Sequence, residues 1–117
     1  MEGITLDRTL FVITSSPGSP EALRALAIAC TRDHQAHDTS LVLLQDAVQA
    51  AVRHNQTPAA QVVSRLAAQS VAVYVAQHDL ALRGISTDDL APGAMVVDDR
   101  RLVDLMMADG TRTLGVF

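Results

Sequence analysis

Five short apolar runs punctuate the chain, and most give way to a segment with helical spacing. Residues 9–14 (TLFVIT) are apolar and β-branched and end in the turn-rich SSPGSP, which predicts a buried strand. Residues 20–32 follow, with Ala22, Leu23, Leu26, Ala27 and Cys30 near helical spacing. Ser19 stands where a helix cap belongs and Pro20 suits a first turn. The polar stretch RDHQAHDT then breaks the pattern. Residues 40–44 (SLVLL) read as a second buried strand closed by Gln45 and Asp46. A short helix is expected over 47–53 and a longer one over 58–69, separated by HNQT. Residues 71–75 (VAVYV) predict a third strand, running into a helix that Gly84 stops. After the loop STDDLAPG, where 88–90 has room for one helical turn, residues 94–97 (AMVV) predict a fourth strand. Residues 98–107 predict a helix with Leu102, Val103, Leu105 and Met106 inward, and 111–117 a closing fifth strand.

The order is therefore five strands alternating with four helical connections. Strands apolar on both faces, separated by helices, imply a parallel sheet covered on both sides. Right-handed crossovers then give an open three-layer α/β fold. No repeat, linker or low-complexity tract interrupts the 117 residues, so one domain over 1–117 is expected.

Composition narrows the function classes. Apolar residues make up 49% and charged residues 19%, enough to build a core without disulfides or metal. All nine basic residues are Arg, against 13 acidic ones, for a formal charge of −4. No basic stripe of the kind that binds nucleic acid is visible. A single cysteine excludes an internal disulfide and a Cys-rich zinc site. No apolar run approaches the roughly 20 residues of a membrane span. Met1, Glu2 and Asp7 make the start acidic where a secretory signal would be basic, so a soluble, cytoplasmic protein is expected.

In a parallel sheet, ligands bind outside the carboxyl ends of the strands. That rule nominates four loops, at 15–19, 45–47, 76–79 and 98–99. Ser15, Ser16 and Ser19 precede a helix N-terminus that could attract an anion, but without a phosphate-loop Lys or a GxGxxG pattern a capped turn is the better reading. Cys30 lies late in a helix at an apolar position, where an inert thiol outweighs a reactive one assisted by Arg32 and His34. Cys30, His34 and His37, with Asp33 and Asp38 nearby, read as a solvated loop rather than a metal site. His78 could serve as a base, yet with no nucleophile beside it, Asp79 capping the next helix is favoured. Arg100 and Arg101, beside Asp98 and Asp99, read as solvent-facing charges around a helix start.

Three segments carry a family resemblance: SLVLLQDAVQAAV (40–52), VAVYVAQHDLALRGI (71–85) and PGAMVVDDRRLVDLM (92–106). They resemble the small sulfur-relay proteins of the DsrE/DsrF/DsrH superfamily, and within it the DsrH/TusB branch. YVAQHDLALRGI is the most specific piece. The resemblance implies a flavodoxin-like three-layer α/β/α domain with a mainly parallel five-stranded sheet. It implies work in sulfur oxidation or tRNA thiolation, without a cofactor. It also implies homo-oligomers, or hetero-oligomers with thiol-bearing DsrE/TusD-like partners.

Active members carry a persulfide on a cysteine just after the third strand, and the matching position here is near Ala76. DsrH/TusB-like subunits also lack that thiol. Asp46 matches the acidic residue that ends the second strand, followed by Ala47 where a Gly is frequent. Some DsrH proteins hold a first-helix cysteine, but its position matches Leu23, about two turns before Cys30. A C-terminal Trp common in the branch is absent. The expected function is an accessory subunit of sulfur transfer. The alternatives are a sulfur carrier using Cys30 and a small anion- or nucleotide-binding domain. A phosphorylation receiver is excluded by the lack of Lys. A flavodoxin is disfavoured by a single Tyr, Tyr74, and no Trp.

Overall fold

A computed structural model describes residues 8–31, 38–69 and 71–116. Its strands are β1 (Arg8–Ile13), β2 (Asp38–Leu43), β3 (Ala72–Ala76), β4 (Ala94–Val97) and β5 (Thr111–Val116). Its helices are α1 (Pro20–Cys30), α2 (Pro58–Ala68), α3 (Gln77–Leu82) and α4 (Asp99–Met107). Two 3₁₀ segments, Gln45–Ala51 and Thr87–Asp89, take the places of the expected short helix after β2 and the turn near residue 88.

The five strands form one sheet in the order β4-β3-β2-β1-β5, and every neighbouring pair runs parallel. This is the expected three-layer α/β/α, flavodoxin-like architecture. Its handedness follows from the crossovers. The chain steps from β1 to β2 to β3 to β4 in one direction, so right-handed connections place α1, α2 and α3 on one face. Only the return from β4 to β5 reverses direction, which sends α4 to the other face. The contacts agree: α1 packs on α2, α2 and α3 pack on the 3₁₀ segment Gln45–Ala51, and α4 touches β4 and β5.

Local signals hold these elements in place. The Ser19 hydroxyl accepts the Ala22 N–H at 3.2 Å, so α1 is capped as its sequence predicts. Thr57 caps α2 in the same way, accepting the Ala60 N–H, with Pro58 at the first position. Gly84 follows α3 with φ +65°, a conformation that halts a helix at little cost only for glycine. Gly115, at φ +54°, sits where the register of β5 against β1 slips by one residue.

In two helices the buried stripe differs from the apolar spacing. In α1 the buried stripe is Ala22, Ala25, Leu26 and Ala29, while Leu23 and Ala27 face solvent. Small residues at i, i+3 and i+7 let α1 lie close to its neighbours, so the larger Leu23 is displaced outward. In α4, Leu102 is buried and Leu105 and Met106 are half-buried, but Val103 is 58% exposed. The helix buries a narrower stripe than its apolar content suggests.

Alternation along the strands divides the sheet residues between two faces. Thr9, Phe11, Ile13, Thr39, Leu41, Leu43, Val73 and Val75 face α1 and α2, and all are buried. The opposite face is mixed. Val12, Val42 and Ala76 are buried, Ser40, Ala72 and Tyr74 are half-buried, and Met95 is 42% exposed. On the first face Ala94, Val96 and Leu114 of the edge strands are half-buried and Arg112 is exposed, so the expected complete cover is met only over β1, β2 and β3 on the side of α1 and α2.

Candidate functional site

The carboxyl ends of β2 and β3 are joined by a polar clamp. Beyond β2 the backbone turns sharply at Gln45, whose φ of +53° lies in the left-handed region that disfavours a side chain. Its N–H donates to the Asp79 carboxylate at 2.9 Å. The next residue, Asp46, accepts from Arg83 Nε at 3.1 Å and Nη2 at 2.9 Å. Arg83 Nη1 donates to the Asp79 carbonyl at 3.1 Å and lies 3.6 Å from its carboxylate. The Arg83 side chain is 25% exposed and that of Asp46 57%. In that setting the ion pair contributes on the order of 0.2–1 kcal/mol. Its larger effect is geometric, because it fixes the start of the 3₁₀ segment against the end of α3.

Asp79 thus does other work than expected. It lies in the first turn of α3, the residue at the cap position is Ala76, and no side chain caps that helix. Its carboxylate turns instead to the strained Gln45 N–H, an acceptor placement that satisfies a donor the left-handed turn would otherwise expose.

Two recesses flank the clamp. One, of about 580 Å³, is open and lined by Gln49, Val52, His54, Asn55, Arg83 and Ile85. Its wall is strapped by an antiparallel bridge between Val52 and Leu90, with the Ala91 N–H donating to the Ala51 carbonyl at 2.8 Å. The Arg53 guanidinium donates to the Asp88 carbonyl beside it. The other recess, of about 400 Å³, lies between α3 and the start of α4 and is lined by Gln77, His78, Ala81, Asp98 and Asp99. Here Asp98 caps α4 by accepting the Arg101 N–H at 2.9 Å. His78 is exposed at this mouth, whereas Ala76, two residues before it, is only 1% exposed.

The structure therefore brings Asp46, Ala76, His78 and Asp79 to one edge. The 15–19 loop, at the end of β1, lines none of these recesses. Its polar atoms shape the turn: the Ser16 hydroxyl accepts the Gly18 N–H, the Ser16 carbonyl accepts the Ser19 N–H, and Ser19 caps α1. Ser15 is half-buried. Cys30 is half-buried at the last position of α1. An eleven-residue helix carries it about 15 Å from the edge where α1 begins. It does not meet Ala76. His34, His37, Asp33 and Arg32 lie outside the described residues, and among the described residues no cluster suits a metal ion. Arg83 was missed by the sequence reading. Its i, i+4 spacing from Asp79 was a visible signal, but the bond to Asp46, 37 positions away, was not.

A family model of DsrH-like proteins matches residues 16–111, a span that includes every residue of this edge. The chain belongs to the DsrH-like family. It is thereby a member of the DsrE/DsrF/DsrH-like sulfur-relay superfamily. This DsrH-like protein is similar to the YchN protein from E. coli, with 26% identity over 93% of this chain and 99% of that one and a TM-score of 0.77. It also shares the fold of MTH1491, a protein of unknown function from Methanobacterium thermoautotrophicum. The identity there is 18%, over 92% of this chain and 96% of that one, with a TM-score of 0.72. No curated protein matches the sequence. Among the described residues of this DsrH-like protein, no helix is long and apolar enough to cross a membrane.

Proposed function

We propose that this DsrH-like chain is an accessory subunit of a cytoplasmic sulfur-relay complex, a single domain that completes the complex without carrying sulfur itself. One observation supports the reading above the others. At the end of β3, near where sulfur-bearing relatives present a thiol, this chain has the buried methyl group of Ala76. A persulfide needs a nucleophilic thiolate with access to its donor. The one cysteine in the sequence, Cys30, is at the far end of α1 from that position.

The edge around Ala76 then serves as a docking surface for a partner's loaded thiol. The Asp46–Arg83–Asp79 clamp holds the two loops in fixed relation, and His78 stands exposed at the mouth of the neighbouring recess. The partner in this reading is a thiol-bearing DsrE-like chain, and the pathway is sulfur oxidation or tRNA thiolation.

Native mass spectrometry with such a partner tests the proposal. A stable complex containing both chains is expected, with His78→Ala or Arg83→Met weakening it. Treatment with a persulfide donor should add sulfur to the partner and leave this chain's mass unchanged. A strictly monomeric chain that ignores the partner overturns the proposal. A one-sulfur mass gain lost in Cys30→Ser replaces it with a carrier role for Cys30.

A further inference from the structure

The face of the sheet that carries α4 holds a third recess, well away from the clamp. It has a volume of about 300 Å³ and lies between one flank of α4 and the first halves of β1, β2 and β3. Ser40 and Ala72 are paired neighbours on β2 and β3 and form part of its floor, with Tyr74 further along β3. Two small side chains side by side leave a hollow that larger residues at these positions would fill. Arg101 and Leu105, one helical turn apart on α4, form the wall. Arg8 and Asp38 close the outer end as an exposed ion pair at 3.5 Å.

The polar groups of this recess are unusual for the middle of a parallel sheet, whose faces are ordinarily apolar. Among the described residues, nothing hydrogen-bonds to the Ser40 hydroxyl or the Tyr74 hydroxyl, and nothing pairs with the Arg101 guanidinium. Three donor-bearing side chains without a partner among the described residues thus line one hollow. The charges are unequal as well. Asp38 is neutralised by Arg8, which leaves the Arg101 charge in excess, against a whole-chain charge of −4.

We propose that this recess binds a small organic monoanion, a carboxylate on a compact apolar body. α4 runs against the strand direction, so Arg101 and Tyr74 share the inner end. The carboxylate sits there, where the guanidinium and the phenol donate to it. The apolar body lies along Leu105 and over Ala72, toward the last turn of α4. The opposite orientation is disfavoured, because the carbonyl end of α4 repels an anion. The recess is independent of the sulfur-relay reading. It lies toward the amino-terminal end of the strands and shares no lining residue with the recesses beside the clamp.

Benzoate is the probe. Titrated into the ¹⁵N-labelled full chain, it should produce saturable amide shifts centred on Ser40, Ala72, Tyr74 and Leu105. Benzamide has the same shape without the charge and should bind at least about tenfold more weakly. Arg101→Gln, at an exposed position where the fold is undisturbed, should weaken benzoate about ten- to a hundredfold while leaving the rest of the spectrum in place. Shifts that do not saturate, that centre on the Arg83 edge, or that persist unchanged in Arg101→Gln overturn the proposal. So does equal affinity for benzamide.

Discussion

The two faces of the sheet are built by the same strands and finished very differently. Toward α1 and α2 every residue of the three central strands β1, β2 and β3 is buried, down to 0% exposure at Phe11, Leu41, Leu43, Val73 and Val75, and only the edge strands β4 and β5 are less covered. Toward α4, Ser40, Ala72 and Tyr74 are half-buried, and Met95 is 42% exposed. The cause is arithmetic in the connections. Three crossovers run one way and one returns, so a single nine-residue helix serves the second face. Such a helix, lying along the strands, is about 10 Å across, whereas five strands span about 19 Å. Strand order therefore decides where this protein can keep polar groups inside its layers. The covered face supplies cohesion, and the thinly covered face has room for other chemistry.

The contrast can be broken by substitution. Phe11→Ala on the covered face should have the largest effect, a loss of about 3–5 kcal/mol in urea denaturation, because its neighbours cannot close the cavity. Leu102→Ala, which removes the buried anchor of α4, should cost about 2 kcal/mol, since a helix on a half-open face can settle inward. If Leu102→Ala costs as much as Phe11→Ala, the second face is packed as tightly as the first and the contrast fails. Val103→Ser should have the smallest effect, within about 0.5 kcal/mol, since that side chain is 58% exposed. A larger loss in purified protein would mean that Val103 is covered by another chain in solution, which would sharpen the contrast by showing what the open face meets.

Much of this fold is legible in the sequence because its signals are local. The apolar β-branched runs mark the strands, Ser19 and Pro20 mark the start of α1, and Gly84 marks the end of α3. Val103 shows where local pattern stops being enough. Its apolar character predicts an inward position, but how wide a stripe α4 buries depends on how the sheet beneath it is ordered, which no short window contains. The site divides in the same way. The carboxyl-edge rule places Asp46, Ala76, His78 and Asp79 together. It does not disclose that Asp79 serves the strained Gln45 instead of its own helix, nor that Arg83 reaches Asp46. Those contacts exist only after β2 and β3 have paired.

The sheet's outer strands bear on how this protein meets others. β4 has only four residues, and β5 carries the register slip at Gly115, so neither margin offers a long, even row of free backbone groups. Strand-by-strand growth into ribbons is discouraged at both borders. Association is left to side-chain surfaces and loops, which favours finite assemblies of defined stoichiometry over open-ended polymers.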